Sequence, residues 1–220
     1  MESALIPLYL SLKVAAWATA VNAVLGIALG WYLSQKNSVV RQGIDILATL
    51  PMVLPPTVLG YYLLVLFGRQ TGLNLWMENN LGIGLIFTWQ GAVVAAAITT
   101  FPLIFKPARA AFESVDVQLQ QVGWVLGVSK TGVFFRVMLP LAWRGILAGM
   151  LLGFVRALGE FGATLMIAGN IPGKTQTLSI AIYDAVQAGQ DGAVNELVLI
   201  ISAVCIAVLI FAHYLTPKRQ

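Results

Sequence analysis

The sequence predicts an all-α integral membrane protein with about five transmembrane helices, possibly six, and three observations lead there. Of 220 residues, 59% are hydrophobic and only 10% are charged, with a mean hydropathy of +0.84, far from the mix of a soluble domain. The apolar residues gather into runs of about 20, the length at which a helix crosses a bilayer. Most Lys and Arg cluster in the short segments between those runs. The net charge of +4 and the pI near 9.4 therefore read as topology signals and not as a nucleic-acid surface. The runs extend from residue 8 to 214 as one membrane domain, with no room for a separate soluble domain.

The first run spans about 8 to 33. Met1-Glu2 lacks a basic start and the run is long enough to span, so no cleavable leader is expected. Lys13 is expected to snorkel to the outer interface, and Asn22 to bond a neighbouring helix. A short basic loop with Lys36 and Arg41 follows. The second run, about 44 to 67, carries Pro51, Pro55 and Pro56 in LPMVLPPTVLGYYLL. Proline removes backbone donors and breaks a helix. In a membrane such a break survives only where protein or water satisfies the freed groups, so the segment is either a kinked packing helix or a pathway wall. Residues 69 to 84 read as a polar loop containing Trp76, and the third run covers about 85 to 105, closed on the inner side by Lys106 and Arg109.

Residues 110 to 146 form the longest polar interruption and place Glu113, Asp116, Gln118, Gln120, Gln121, Lys130, Arg136 and Arg144 in water. Val115, Leu119, Val122 and Leu126 fall at helical spacing, and Gly127 is predicted to end that helix in a left-handed turn. Ser129 is placed to cap the next helix, through Phe134, Phe135 and Val137.

The fourth run goes from about 145 into VRALGEFGATLMIAGNIPGKT. Arg156 and Glu160 are four apart, hence on one helix face, either as a structural ion pair or as a gate or anion-path element. Gly159 and Gly162 should loosen the helix there. LSIAIYDAV is amphipathic and reads as a short helix at the outer rim, before a last run of about 197 to 214 and the basic tail TPKRQ. The cations divide into Lys36, Arg41, Lys106, Arg109, Lys130, Arg136, Arg144, Lys218 and Arg219 on one side, and Lys13, Arg69 and Lys174 on the other. The first side is expected to be cytoplasmic, with the amino terminus outside and the carboxyl terminus inside.

Catalysis finds little support. The chain has one Cys, Cys205, and one His, His213, both in the last run, with His213 expected as an interfacial side chain. AGNIPGKT imitates a phosphate-binding loop, but it follows a membrane run instead of a strand and lies on the outer side. If ATP drives this protein, another chain binds it. An intramembrane carboxylate for proton coupling would have to be Glu160, beside Arg156. Thr99, Thr100, Thr164, Asn170 and Ser179 are candidate donors to an anion path, and could equally be interhelical glue.

The stretch LGVSKTGVFFRVMLPLAWRGILAG, with the helix before it, resembles the cytoplasmic coupling (EAA) loop of bacterial ABC importer permeases. Gln121-Val122-Gly123 stands where that family carries Glu-Ala-Ala, and Arg144 where a proline is common. LPMVLPPTVLGYYLL, WQGAVVAAAITTFPLIFKPARAAFESVD and RALGEFGATLMIAGNIPGKTQTLSIAIY are similar to the permease subunits of molybdate ABC importers; sulfate and tungstate permeases carry related stretches. The resemblance implies a type I ABC importer permease fold in the cytoplasmic membrane of a prokaryote. It also implies ATPase contacts at Val115, Asp116, Leu119, Gln121, Val122, Gly123, Leu126, Gly127 and Ser129. The partners it implies are a second copy of the chain, a cytoplasmic ATPase dimer that carries ATP and Mg, a periplasmic or extracellular oxyanion-binding protein, and membrane lipid.

Overall fold

The computed structural model describes residues 2–35, 38–68, 70–82 and 84–215. At its centre two helices run side by side, α1 (Glu2–Ser34) and α5 (Trp89–Glu113). Their seam is built of small residues, Ala15, Ala18, Ala92, Ala95 and Ala96, all with 0% exposure, which lets the backbones approach closely. Asn22 ties the two together as expected: its Nδ2 donates to Ala97 O at 2.8 Å and to Thr100 Oγ1 at 3.1 Å. The Lys13 ammonium sits 3.7 Å above the Trp89 ring.

The second run is broken where the prolines fall. α2 (Val39–Val53) ends at Leu54, α3 (Pro56–Phe67) starts with Pro56 at its first position, and the two are bent by 112°. The segment read as a polar loop is a correction: it holds helix α4 (Gly72–Leu81), capped by the Thr71 hydroxyl and closed by left-handed Gly82. Cap and stop outweighed its mediocre apolar content, and Asn74 is buried within it. The third run also exceeds its expected end, because α5 continues through Pro107 to Glu113.

Beyond α5 come the short helices α6 (Val117–Val125) and α7 (Lys130–Val133), then a π-helical turn (Phe134–Met138) that leads into α8 (Leu139–Leu158). α8 returns antiparallel to α5, with Gly145, Gly149 and Gly153 set against Ala111, Pro107 and Ile104. α9 (Gly162–Ala168), the rim helix α10 (Leu178–Gln187) and α11 (Asp191–Leu215) complete the chain. Among the described residues four helices are long and apolar enough to cross a membrane, and the bent α2–α3 pair, counted as one span, brings the number to five. Lys36, Arg69, Lys218, Arg219, the tail and the His213 side chain lie outside what is described.

Candidate functional site

Two sites emerge at different depths. The first lies where two interrupted helices meet. Gly60 of α3 rests on α9 so closely that a Cβ there would stand 2.7 Å from Met166 Cβ and 3.0 Å from Ala163 Cα. The same approach places Gly162 against Pro56 and Thr57. Pro55-Pro56 and the corner at residues 159–161, far apart in sequence, thus share one junction.

Arg156 and Glu160 do pair, Nη1 to Oε2 at 3.0 Å. They are not on one helix face, however, because α8 stops at Leu158 and Glu160 stands in the corner beyond it. Gly159 and the start of α9 break the helix outright instead of loosening it. Glu160 can pair back because the corner is tight, and its other oxygen, Oε1, accepts from Ala163 N at 3.1 Å. That bond satisfies one of the orphan amides that open α9 and puts negative charge at a helix start. Oε2 is buried and meets Arg156 off the N–H axis, an ion pair without an aligned hydrogen bond. The side chains differ sharply in exposure, 1% for Glu160 and 41% for Arg156.

The rim helix holds this corner. Ser179 Oγ donates to Leu158 O at 3.2 Å, taking up a carbonyl at the end of α8, and Phe161 packs on Tyr183 at 5.0 Å between ring centres. Ser179 is therefore bonded inside the protein. Thr100 has no exposure and donates to Ala96 O at 2.7 Å, Thr99 donates to the same carbonyl at 3.1 Å, and Thr164 is 1% exposed. All three stand in helix packing, away from any surface of this chain. Asn170 is exposed, its Oδ1 accepting from Gln176 Nε2. Pro51 is half-buried in α2, whereas Pro55 and Pro56 are exposed at the break.

AGNIPGKT is a self-closed turn. Thr175, fully buried, accepts from Ile171 N through Oγ1, and the amides of Lys174, Thr175 and Gln176 all point to Ile171 O. Those amides are turned inward and cannot cradle a phosphate.

The second site is the end of the bundle at α6. Asp116 caps α6 through Gln118 N at 2.8 Å. Val115 is not part of this helix, a correction to the expected stripe: it packs inward with Phe112, Val133 and Met138. Gly127 has φ +77°, the left-handed conformation its position demanded. Val128 N donates to Gly123 O and Gly127 N to Trp124 O, both at 3.0 Å, which closes a Schellman cap. Ser129 Oγ accepts from Gly132 N at 3.1 Å, as its place before α7 required. Gly123 is buried against α7, where a Cβ would fall 2.8 Å from Val133 Cγ2. With the inner side of α6 held this way, its apolar residues are left outside: Leu119 is 47% exposed, Val122 56%, Val125 87% and Leu126 75%. Gln121 is exposed among them. An exposed apolar surface of this kind marks a contact with another protein or with the membrane.

One feature of this end was not read from the sequence. Asp45 of α2 takes Lys106 at 3.0 Å and Arg109 at 3.2 Å, and Arg109 also meets Glu113 at 2.7 Å. An acidic residue at the start of an apolar run, opposite two cations, was the available signal.

Comparison with known proteins agrees with this layout. Residues 23–220 match the model of the family described as binding-protein-dependent transport system inner membrane component. The chain is 38% identical to the molybdenum transport system permease protein ModB of Haemophilus influenzae, over 96% of this chain and 93% of that one. It is 41% identical to ModB of Escherichia coli K12, over 91% and 89%. A probable sulfate transport system permease protein of Chlorella vulgaris is 31% identical over 81% and 66%. Among solved structures, the fold resembles a bacterial alginate ABC transporter in complex with a pentasaccharide-bound periplasmic protein. The TM-score is 0.75 at 15% identity, covering 98% of this chain and 79% of that one. The methionine ABC transporter MetNI, facing inward, gives a TM-score of 0.73 at 14% identity, over 93% and 90%. The bent second span, the helix-turn-helix end at α6 and a match over nearly the whole length agree: the chain belongs to the binding-protein-dependent transport system inner membrane components, the permeases of ABC importers.

Proposed function

We propose that this chain is the permease of an ATP-driven importer of molybdate. The observation that carries the reading is identity of 38–41% with molybdenum permeases over 91–96% of the chain, against 31% with a sulfate permease. The α6 end, which gathers Arg41, Lys106, Arg109, Lys130, Arg136 and Arg144, is cytoplasmic, and the amino terminus lies outside. The exposed face of α6 docks on a separate ATPase, which holds ATP and Mg; the chain itself catalyses nothing. A second copy completes the path, and an oxyanion-binding protein delivers substrate at the outer rim.

Arg156 is the group best suited to meet the anion. It is a cation in a membrane run, 41% exposed, and in lipid that exposure would be prohibitive, so it faces a second chain or water. Glu160 offsets its charge, which suits a path that must admit an anion and then release it. Pro55-Pro56 gives the wall beside it a break that can rearrange as the two copies move.

The test is uptake into vesicles that contain the chain with its ATPase and binding protein. Labelled molybdate should accumulate on ATP addition and be displaced by tungstate more readily than by sulfate. Sulfate as the better competitor would make this a sulfate permease.

A further inference from the structure

We propose that the seam between α1 and α2 holds an anionic glycerophospholipid, its phosphate at Trp31, Tyr32, Arg41 and Lys130 and an acyl chain in the cleft beside Ala48 and Pro51. Three features meet there. At the α6 end, a cavity of about 340 Å³ is walled by the aromatic rings of Trp31, Tyr32 and Trp124 and carries the cations Arg41 and Lys130. The Arg41 guanidinium stands 4.5 Å over the Tyr32 ring. The Trp31 ring lies tilted against Phe134, 4.7 Å between ring centres, and its buried Nε1–H has no hydrogen-bond partner, a donor that an oxyanion would satisfy.

Deeper in the membrane a second cleft, of about 310 Å³, lies between Val21 and Leu25 of α1, Ala48 and Pro51 of α2, and Ile98 and Phe101 of α5. α2 leans on α5, buries no residue of its own and leaves this side of α1 uncovered. Asn22 lines the cleft, but its amide nitrogen is turned to Ala97 O and Thr100 Oγ1, so the walls offer an apolar guest only apolar contact.

The two spaces lie along one line. Leu25 and Tyr32 of α1 are separated by about 10 Å along the helix, as are Ala48 and Arg41 of α2. Basic, aromatic-rimmed pockets between membrane helices take acidic phosphate headgroups, and an attached chain then runs into the apolar cleft. A free oxyanion would fill only the cavity. A second copy of the chain would have to supply an anionic and an apolar side chain at this spacing, whereas a phospholipid carries its phosphate and its acyl chain on one molecule. The placement at the cytoplasmic leaflet rests on the orientation proposed above; occupancy of the seam does not.

The test is native mass spectrometry of the chain assembled with its ATPase, stripped of lipid and offered palmitoyl-oleoyl phosphatidylglycerol. Wild type should retain one lipid per chain. Arg41→Gln with Lys130→Gln should lower retention at least ~10-fold, by loss of both cations. Ala48→Phe, which fills the cleft and leaves the cations in place, should lower it likewise in a complex of unchanged assembly. Equal retention by all three would overturn the proposal. So would equal competition by glycerol 3-phosphate, which identifies a free-phosphate site, or an Ala48→Cys crosslink between two copies through the cleft. Because the readout is bound lipid, molybdate uptake can fail without affecting it, and the converse holds.

Discussion

Gly127 is the point where a small backbone change should disconnect ATP hydrolysis from transport. With φ at +77°, an L side chain there carries the left-handed penalty of roughly 1–2 kcal/mol, largest when β-branched. Beyond its two chain neighbours nothing lies within 4 Å of where its Cβ would be, so the surrounding packing adds nothing and the penalty is local to the backbone. Relief means opening the cap, with loss of the bonds from Gly127 N to Trp124 O and from Val128 N to Gly123 O, about 1 kcal/mol each. Either way the change is of order 1–2 kcal/mol, small beside the stability of a whole domain yet enough to re-aim α6. Gly127→Val should therefore insert and assemble normally but bind the ATPase up to about tenfold more weakly, the equivalent of about 1.4 kcal/mol, or hydrolyse ATP with little uptake. Gly127→Ala should fall between, and Gly127→Asn, which tolerates the left-handed region, should be close to wild type. The assay is ATPase affinity for permease in vesicles, together with molybdate taken up per ATP hydrolysed. Normal affinity and coupling in Gly127→Val, or an Asn variant as impaired as the Val one, would refute this account of the cap.

Three further outcomes are expected. Arg156→Ala should destabilise more than Glu160→Ala, because it strands a 1% exposed carboxylate whereas the reverse change leaves a cation 41% exposed. Breaking a fully buried pair costs about 3–5 kcal/mol, and the exposure of Arg156 puts this pair toward the lower end. In thermal unfolding the double variant should lose less than the two single losses together; strict additivity would mean the pair has no energetic reality. Lys174→Ala should leave nucleotide binding unchanged, because the chain alone should bind none, and equilibrium dialysis with labelled ATP checks this; saturable binding lost in the variant would show that the Ile171–Gln176 turn had been misread. Gly123→Leu should separate α6 from α7, since even a Cβ would approach Val133 Cγ2 to 2.8 Å, and ATPase binding should fall more than with a substitution at exposed Gln118.

What the sequence determined by itself was local or periodic, although α4, with its Thr71 cap and Gly82 stop, was local and still read as a loop. Hydropathy placed the apolar runs, because solvation by lipid acts residue by residue and adds along a helix. The proline cluster predicted the break after α2, and Gly127 and Ser129 predicted the turn between α6 and α7, because ring closure, left-handed backbone and caps are properties of a few adjacent residues. Tertiary structure decided the rest. Whether Thr99 and Thr100 face a path or a neighbour depends on which helices meet; both are buried and bond Ala96 O of their own helix, and Thr100 also takes the Asn22 amide of α1. Helical spacing put Arg156 and Glu160 on one face, but the end of α8 and the amides opening α9 set Glu160 in a corner, where it caps α9 and pairs backward. Val115 and Leu119 share a stripe by spacing, yet one is buried and the other exposed, since Asp116 starts the helix between them. The Asp45 cluster and the α1–α2 seam join residues tens of positions apart. Their partners are chosen by how the chain comes together, and no periodicity along it records that choice.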